Sequence, residues 1–267
     1  MSTTLIFLAV VVPAFVAGII FLALRTNRAA GALALGAAFL AGHVGMAGWP
    51  AFPPANATQK LFFIVAGSIV LGALHSVERP AATKWLRALL SFVLPWYLIL
   101  RSNLTPLPFS MALVGMVCVQ ILWASFDGLL ARLGGVAGAG AFWLGAAGAA
   151  VTLALAVSVQ NGLLCASLAA GLGANIVLAW FKPAWRLQRS AVPVVTAVFA
   201  GELICVCAFD DFPVSSAILL ALAPNLAWLA TLKPIQKLSR WQQVLICGGA
   251  MLVPIAIAIW LQPPLEM

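Results

Sequence analysis

The run SAVPVVTAVFAGELICVCAF, Ser190–Phe209, decides the fold. It carries one acid, Glu202, and no base, and charge stands on both sides of it: Arg186 and Arg189 before, Asp210 and Asp211 after. At 1.5 Å of rise per residue, a helix of this length spans about 30 Å, the thickness of a bilayer's hydrocarbon core. Nine similar runs flank it: Thr4–Leu24, Ala29–Trp49, Leu61–Val77, Trp85–Leu100, Met111–Leu130, Val136–Val157, Leu163–Phe181, Val214–Thr231 and Trp241–Leu261.

Of the 267 residues, 64% are hydrophobic and 7% charged, against roughly 25% charged in a soluble domain. The expected fold is therefore an all-α polytopic membrane protein, about ten transmembrane helices in one bundle, with residues 1–267 as a single domain. Ten spans of about 20 residues leave no room for a soluble domain, and no Walker-type or dinucleotide-type glycine motif occurs. ATP-driven pumping by this chain alone is excluded. The net charge of +8 belongs to short connections, where orientation in a bilayer accounts for it, so nucleic-acid binding is not expected.

With the N-terminus outside, the inward connections carry Arg25 and Arg28; Arg79, Lys84 and Arg87; Arg132; Lys182, Arg186 and Arg189; and Lys233, Lys237 and Arg240. Only Lys60 and Arg101 fall outside, where Asp210, Asp211 and Glu266 also lie. This regular alternation supports ten spans, with both termini out, in a bacterial inner membrane.

Gly134-Gly135 divides the chain after five spans, so halves 1–133 and 134–267 would lie in opposite orientations, as in many secondary transporters. Pro95 and Pro224 occupy the same position in the fourth and ninth spans, equivalent spans of such a five-plus-five inverted repeat. Against the repeat, Pro13, Pro193 and Pro254 have no counterparts, and the halves show no residue-by-residue similarity. Stripes of small residues predict close helix packing: Ala30, Ala34, Ala38 and Gly42 in the second span, Ala166, Ala170 and Ala174 in the seventh, and Gly134 and Gly138 at the start of the sixth.

Polar groups in hydrocarbon are the candidate functional residues. By helical rise, Glu202 lies about 18 Å and His43 about 21 Å from the inner ends of their spans, and Asn175 and Asn225 about 9 Å. All four fall within about 6 Å of the midplane. Desolvation favours a neutral carboxyl over a carboxylate, which suits Glu202 to carry a proton; the competing reading is a protonated acid held between helices by a hydrogen bond. His43 is either its partner or a solitary interhelical histidine. Asn175, Asn225, Pro95 and Pro224 shape the expected substrate pathway, although asparagines more often join helices. Asp127 suggests a cytoplasmic gate with Arg79, Arg87 or Arg132; its alternative is an interfacial acid neutralised by Arg132. Glu78 and Arg79 belong to the same interfacial class.

His75, about 3 Å from the inner end, is too far from His43 along the membrane normal to share a haem iron. Cys118, Cys165, Cys205, Cys207 and Cys247 lack metal-ligand or disulfide spacing, and no hydrolytic motif occurs. No metal, cofactor or enzymatic activity is expected. The reading adopted is a secondary transporter of a small solute, coupled to protons through Glu202. Its rival is a non-catalytic membrane subunit or scaffold, with protein partners in the bilayer.

Overall fold

The computed structural model describes residues 3–77, 80–99, 108–133, 136–182 and 185–262. Glu78, Arg79, Arg101, Gly134, Gly135 and Glu266, named above, lie outside the described residues, as does Leu100 at the end of the fourth expected span. The described residues are helical and contain no strand. Ten long helices follow one another: α1 (Thr3–Ala23), α2 (Ala30–Ala47), α3 (Ala57–His75), α4 (Pro80–Ile99), α5 (Pro108–Arg132), α6 (Val136–Ala156), α7 (Val159–Phe181), α8 (Ala191–Phe209), α9 (Val214–Thr231) and α10 (Arg240–Trp260).

Among the described residues, nine of these helices are long and apolar enough to cross a membrane; α4 is the one that is not. Thr83, Lys84 and Arg87 dilute its first two turns, yet Trp85, Leu89, Phe92 and Val93 lie exposed on it. Several helices begin earlier than the apolar runs because polar caps start them. Asn56 accepts from the Gln59 backbone N–H and starts α3, Ser158 accepts from that of Asn161 and starts α7, and Ser239 and Gln242 form a capping box at α10. Lys60, expected in an outer loop, thus enters α3, where it is buried and donates to the Leu98 carbonyl at the end of α4. Cations suit a helix C-terminus.

The quoted run forms α8, which is almost entirely buried and packs against α2, α3, α4 and α5. Its counterpart in a duplicated bundle, α3, has α2, α4 and α8 as chief neighbours. The two prolines differ as well. Pro95 sits within α4 against Gly115 of α5, whereas Pro224 packs on Gly145 of α6, just where α9 changes to a 3₁₀ helix from Ala223. This packing gives the five-plus-five repeat no support.

Small residues set the closest approaches. Ala30, Ala34, Ala38 and Gly42 are all buried in α2. In α7 the expected stripe is only half-buried, and the close contacts run through residues beside it: a Cβ at Gly162 would lie 2.5 Å from that of Ala154, and one at Gly171 3.1 Å from that of Ala38. Pro13 leaves the Ala9 carbonyl without its helical donor. The chain passes through a π-helical turn there, Phe7–Val11, and Ser167 of α7 donates to Ala9 O at 3.0 Å. Gly42 leaves room for this bond, since a Cβ there would lie 2.7 Å from Ser167 Cβ.

Candidate functional site

The predicted site residues separate into three groups. Glu202, His43 and Asn175 are each buried, on α8, α2 and α7. Glu202 Oε1, both His43 ring nitrogens and both Asn175 amide atoms have no hydrogen-bond partner among the described residues. Of the two readings of His43, the hydrogen bond to Glu202 is therefore not formed. His43 instead lies among rings, 5.1 Å from Phe62 and 6.3 Å from Phe39 between centroids, with the Thr58 backbone nearby. Glu202 lies within electrostatic reach of Cys165 of α7, with Cys205 less than one turn along α8. Thr196, nearer the start of α8, is fully buried and its hydroxyl also has no partner. Sequence reading passed over Thr196 because a threonine in an apolar run ordinarily bonds back to its own helix. Thr152 does that, donating to Gly148 O at 2.8 Å.

The second group joins helices. In the 3₁₀ pattern of α9 the Ala221 carbonyl faces the nitrogen of Pro224, which has no hydrogen. The Asn225 amide replaces it, donating to Ala221 O at 2.7 Å. Asn225 Oδ1 accepts from the Ser125 hydroxyl, which in turn accepts from Trp228 Nε1 at 2.8 Å. Gly128 admits the Trp228 ring, and the Arg132 guanidinium lies 4.8 Å from that ring's centroid. Asn225 and Arg132 thus belong to an α5–α9 clasp, while Pro224 beside them packs on Gly145 of α6.

The third group corrects the gate. Asp127 and Arg132 do not pair: five residues apart on a helix, they point about 140° away from each other. Asp127 accepts two bonds from Arg189, Nε at 2.7 Å and Nη2, and a third from His75 Nε2 at 3.1 Å. With its proton on Nε2, His75 accepts from the Thr83 hydroxyl at Nδ1, 3.2 Å away, and its ring stands edge-on to the buried Trp123 at 5.7 Å. The ends of α3 and α5, the start of α4 and the loop before α8 meet in this cluster. Sequence reading used Arg189 only as an orientation anchor and His75 only to exclude a haem. The available signal was position: His75, Thr83, Asp127 and Arg189 all lie within two turns of the same end of the bundle.

At the opposite end, Asn161 Nδ2 donates to Asp210 Oδ2 at 3.2 Å. Burial pushes the Asp210 carboxyl above its ordinary range; the Asn161 bond opposes this and the neighbouring Asp211 charge adds to it. Among the described residues, no group of three or more His, Cys, Asp or Glu is placed to hold a metal ion.

Compared with family models, curated proteins and solved structures, the chain has no match. Its physical class rests on its own helices: with nine among the described residues long and apolar enough to span, it is a multi-pass integral membrane protein.

Proposed function

We propose that the protein is a secondary transporter of a small solute, with Glu202 as its proton carrier. One observation carries the reading: the most enclosed helix, α8, holds a buried carboxyl without a hydrogen-bond partner at Oε1. His43 and Asn175, on two other helices, are unpartnered in the same way. Leaving a polar group unsatisfied in a protein interior costs about 1–3 kcal/mol. Two groups that join helices or mend a broken helix are satisfied, Ser167 and Asn225. Unsatisfied groups on separate helices are instead suited to a ligand or proton that visits. The transporter crosses a bacterial inner membrane ten times, α4 included, with both termini outside, and moves its solute without chemical change.

The test uses sealed vesicles holding the protein and an internal pH dye. Amino acids, sugars, organic acids and amines are added one at a time. A solute that moves protons only when the protein is present identifies the substrate, and Glu202→Gln should abolish that movement. Proton movement unchanged in Glu202→Gln removes the assigned role. Purification only in fixed stoichiometry with other membrane proteins, with no solute moving protons, supports the subunit reading instead.

A further inference from the structure

Arg87 stands on the wrong side of α4 for an orientation anchor. Lys84 and Trp85 are exposed on this helix, as interfacial anchors are. Arg87 instead shares a helix face with Ser91, Leu94 and Leu98, all at most 1% exposed. Its side chain is half-buried with an inaccessible Nε, and among the described residues neither a hydrogen bond nor an ion pair meets the guanidinium. Asp127, an acid that sequence reading offered it, is occupied by Arg189 and His75.

A second unpartnered donor lies at the same level. The His75 imidazole meets the Thr83 hydroxyl of α4 at Nδ1, 3.2 Å away, and the Asp127 carboxylate of α5 at Nε2, 3.1 Å away, so one ring spans the gap between these helices. α4 and α5 run antiparallel: further out, Pro95 meets Gly115, and Trp96 Nε1 donates to Met116 Sδ at 3.0 Å. Arg87, one turn outward from Thr83, and Trp123, one turn outward from Asp127, therefore share the next layer, each rotated by only about 40° around its helix. Trp123 is fully buried, its ring stands edge-on to His75 at 5.7 Å, and its Nε1 has no partner.

A guanidinium and an indole N–H donate only, and neither can accept. A positive charge turned into a bundle without a counter-charge is costly. An anion with several acceptor oxygens meets both needs, whereas a metal ion or an apolar solute meets neither. We propose that Arg87 and Trp123 form a binding site for a phosphate group, entered from the basic end of the bundle, with Arg87 matching its charge and Trp123 Nε1 donating to one of its oxygens. The polar first two turns of α4, with Thr83, Lys84 and Arg87, place this layer near headgroup depth, where the lipids themselves carry phosphate. The forked guanidinium suits such oxygens. The phosphate belongs either to a lipid headgroup or to a soluble ion, and the site does not depend on the transport reading.

The test titrates the full-length protein, in lipid-stripped detergent micelles, with three probes in a calorimeter: inorganic phosphate, dioctanoyl phosphatidic acid, and dioctanoylglycerol, which lacks the phosphate. The parent should bind one equivalent of a phosphate-bearing probe. Binding of inorganic phosphate assigns the site to a soluble ion, and binding of phosphatidic acid alone assigns it to a lipid headgroup. Arg87→Gln should weaken binding about tenfold or more, Trp123→Phe, which keeps a ring without the donor, about threefold, and Lys84→Gln less than about twofold. Unfolding in SDS micelles without any probe supplies a separate readout: Arg87→Gln should be at least as stable as the parent, because it sheds an unpaired charge. The site is overturned if neither phosphate probe binds, if dioctanoylglycerol binds as tightly as phosphatidic acid, or if Arg87→Gln or Trp123→Phe binds like the parent. It is also overturned if Lys84→Gln loses as much as Arg87→Gln, which marks surface attraction, or if Arg87→Gln is destabilised without a probe, which marks a structural role.

Discussion

Gly72 offers the most quantitative test of how the bundle is closed. It lies on α3 where α2 and the start of α8 converge. A Cβ there would sit 2.5 Å from that of Ala32 and would also strike the Ser190 carbonyl oxygen. Neither obstacle is a flexible side-chain end, so Gly72→Ala must push helices apart by about 1 Å. A gap of 0.5–1 Å forfeits a quarter to a half of each van der Waals contact, each worth about 0.15 kcal/mol. If some 30 atom pairs across this junction lose a third of that, the loss is about 1.5 kcal/mol, and residual strain brings it to about 2–3 kcal/mol. Gly67, on the same helix, is exposed and has nothing within 4 Å of an added Cβ. Gly67→Ala should therefore stay within about 0.5 kcal/mol of the parent, since the denatured state in detergent is also helical and helix propensity largely cancels. Both variants are measured by unfolding in mixed micelles with increasing SDS. If Gly72→Ala is as stable as Gly67→Ala, the junction yields more easily than its backbone contacts imply, and the reasoning fails.

Two further outcomes follow from named bonds. Ser167→Ala removes the donor that satisfies the Ala9 carbonyl freed by Pro13, and should cost about 1 kcal/mol in the same SDS titration; no change would mean that the π-helical turn satisfies that carbonyl unaided. Asp210 is favoured in its protonated form by burial, so its contribution to stability is greatest in acid and is lost as pH rises above the ordinary value of 3.8. Asp210→Asn should therefore be at least as stable as the parent at pH 7, with a flatter pH profile; a variant that is less stable at pH 7 and keeps the parent's slope would show that the Asn161 bond outweighs burial.

Hydropathy made nine spanning helices among the described residues legible because lipid demands long apolar segments, and the prolines and charges that interrupt them mark their ends. Capping was less legible to the same reading, since Asn56 and Ser158 belong to helices although they fall outside the apolar runs. Lys60 was misplaced for this reason: counting from the first apolar residue, Leu61, leaves it in a loop. The Asp127–Arg132 pairing fails on angle alone, which sequence contains. Position put Arg189 at the same end of the bundle as Asp127, but choosing it over the other bases there took the packing of α8 against α3 and α5.

A transmembrane asparagine, serine or glutamate has two readings, as a tie between helices or as part of a pathway, and residue type does not choose between them. Backbone accounting does. Where proline or a change of helix type strands a carbonyl, a polar side chain is needed on the spot: Ser167 serves Ala9 and Asn225 serves Ala221. These residues are consumed by the fold, and their presence implies nothing about a solute. Glu202, His43, Asn175 and Thr196 have unpartnered polar atoms despite deep burial, and they fall on α2, α7 and α8. A fold selected only to pack would gain by replacing each of them with an apolar residue of similar shape. On the transport reading proposed above, a site that a proton or solute visits would offset this cost without a permanent partner.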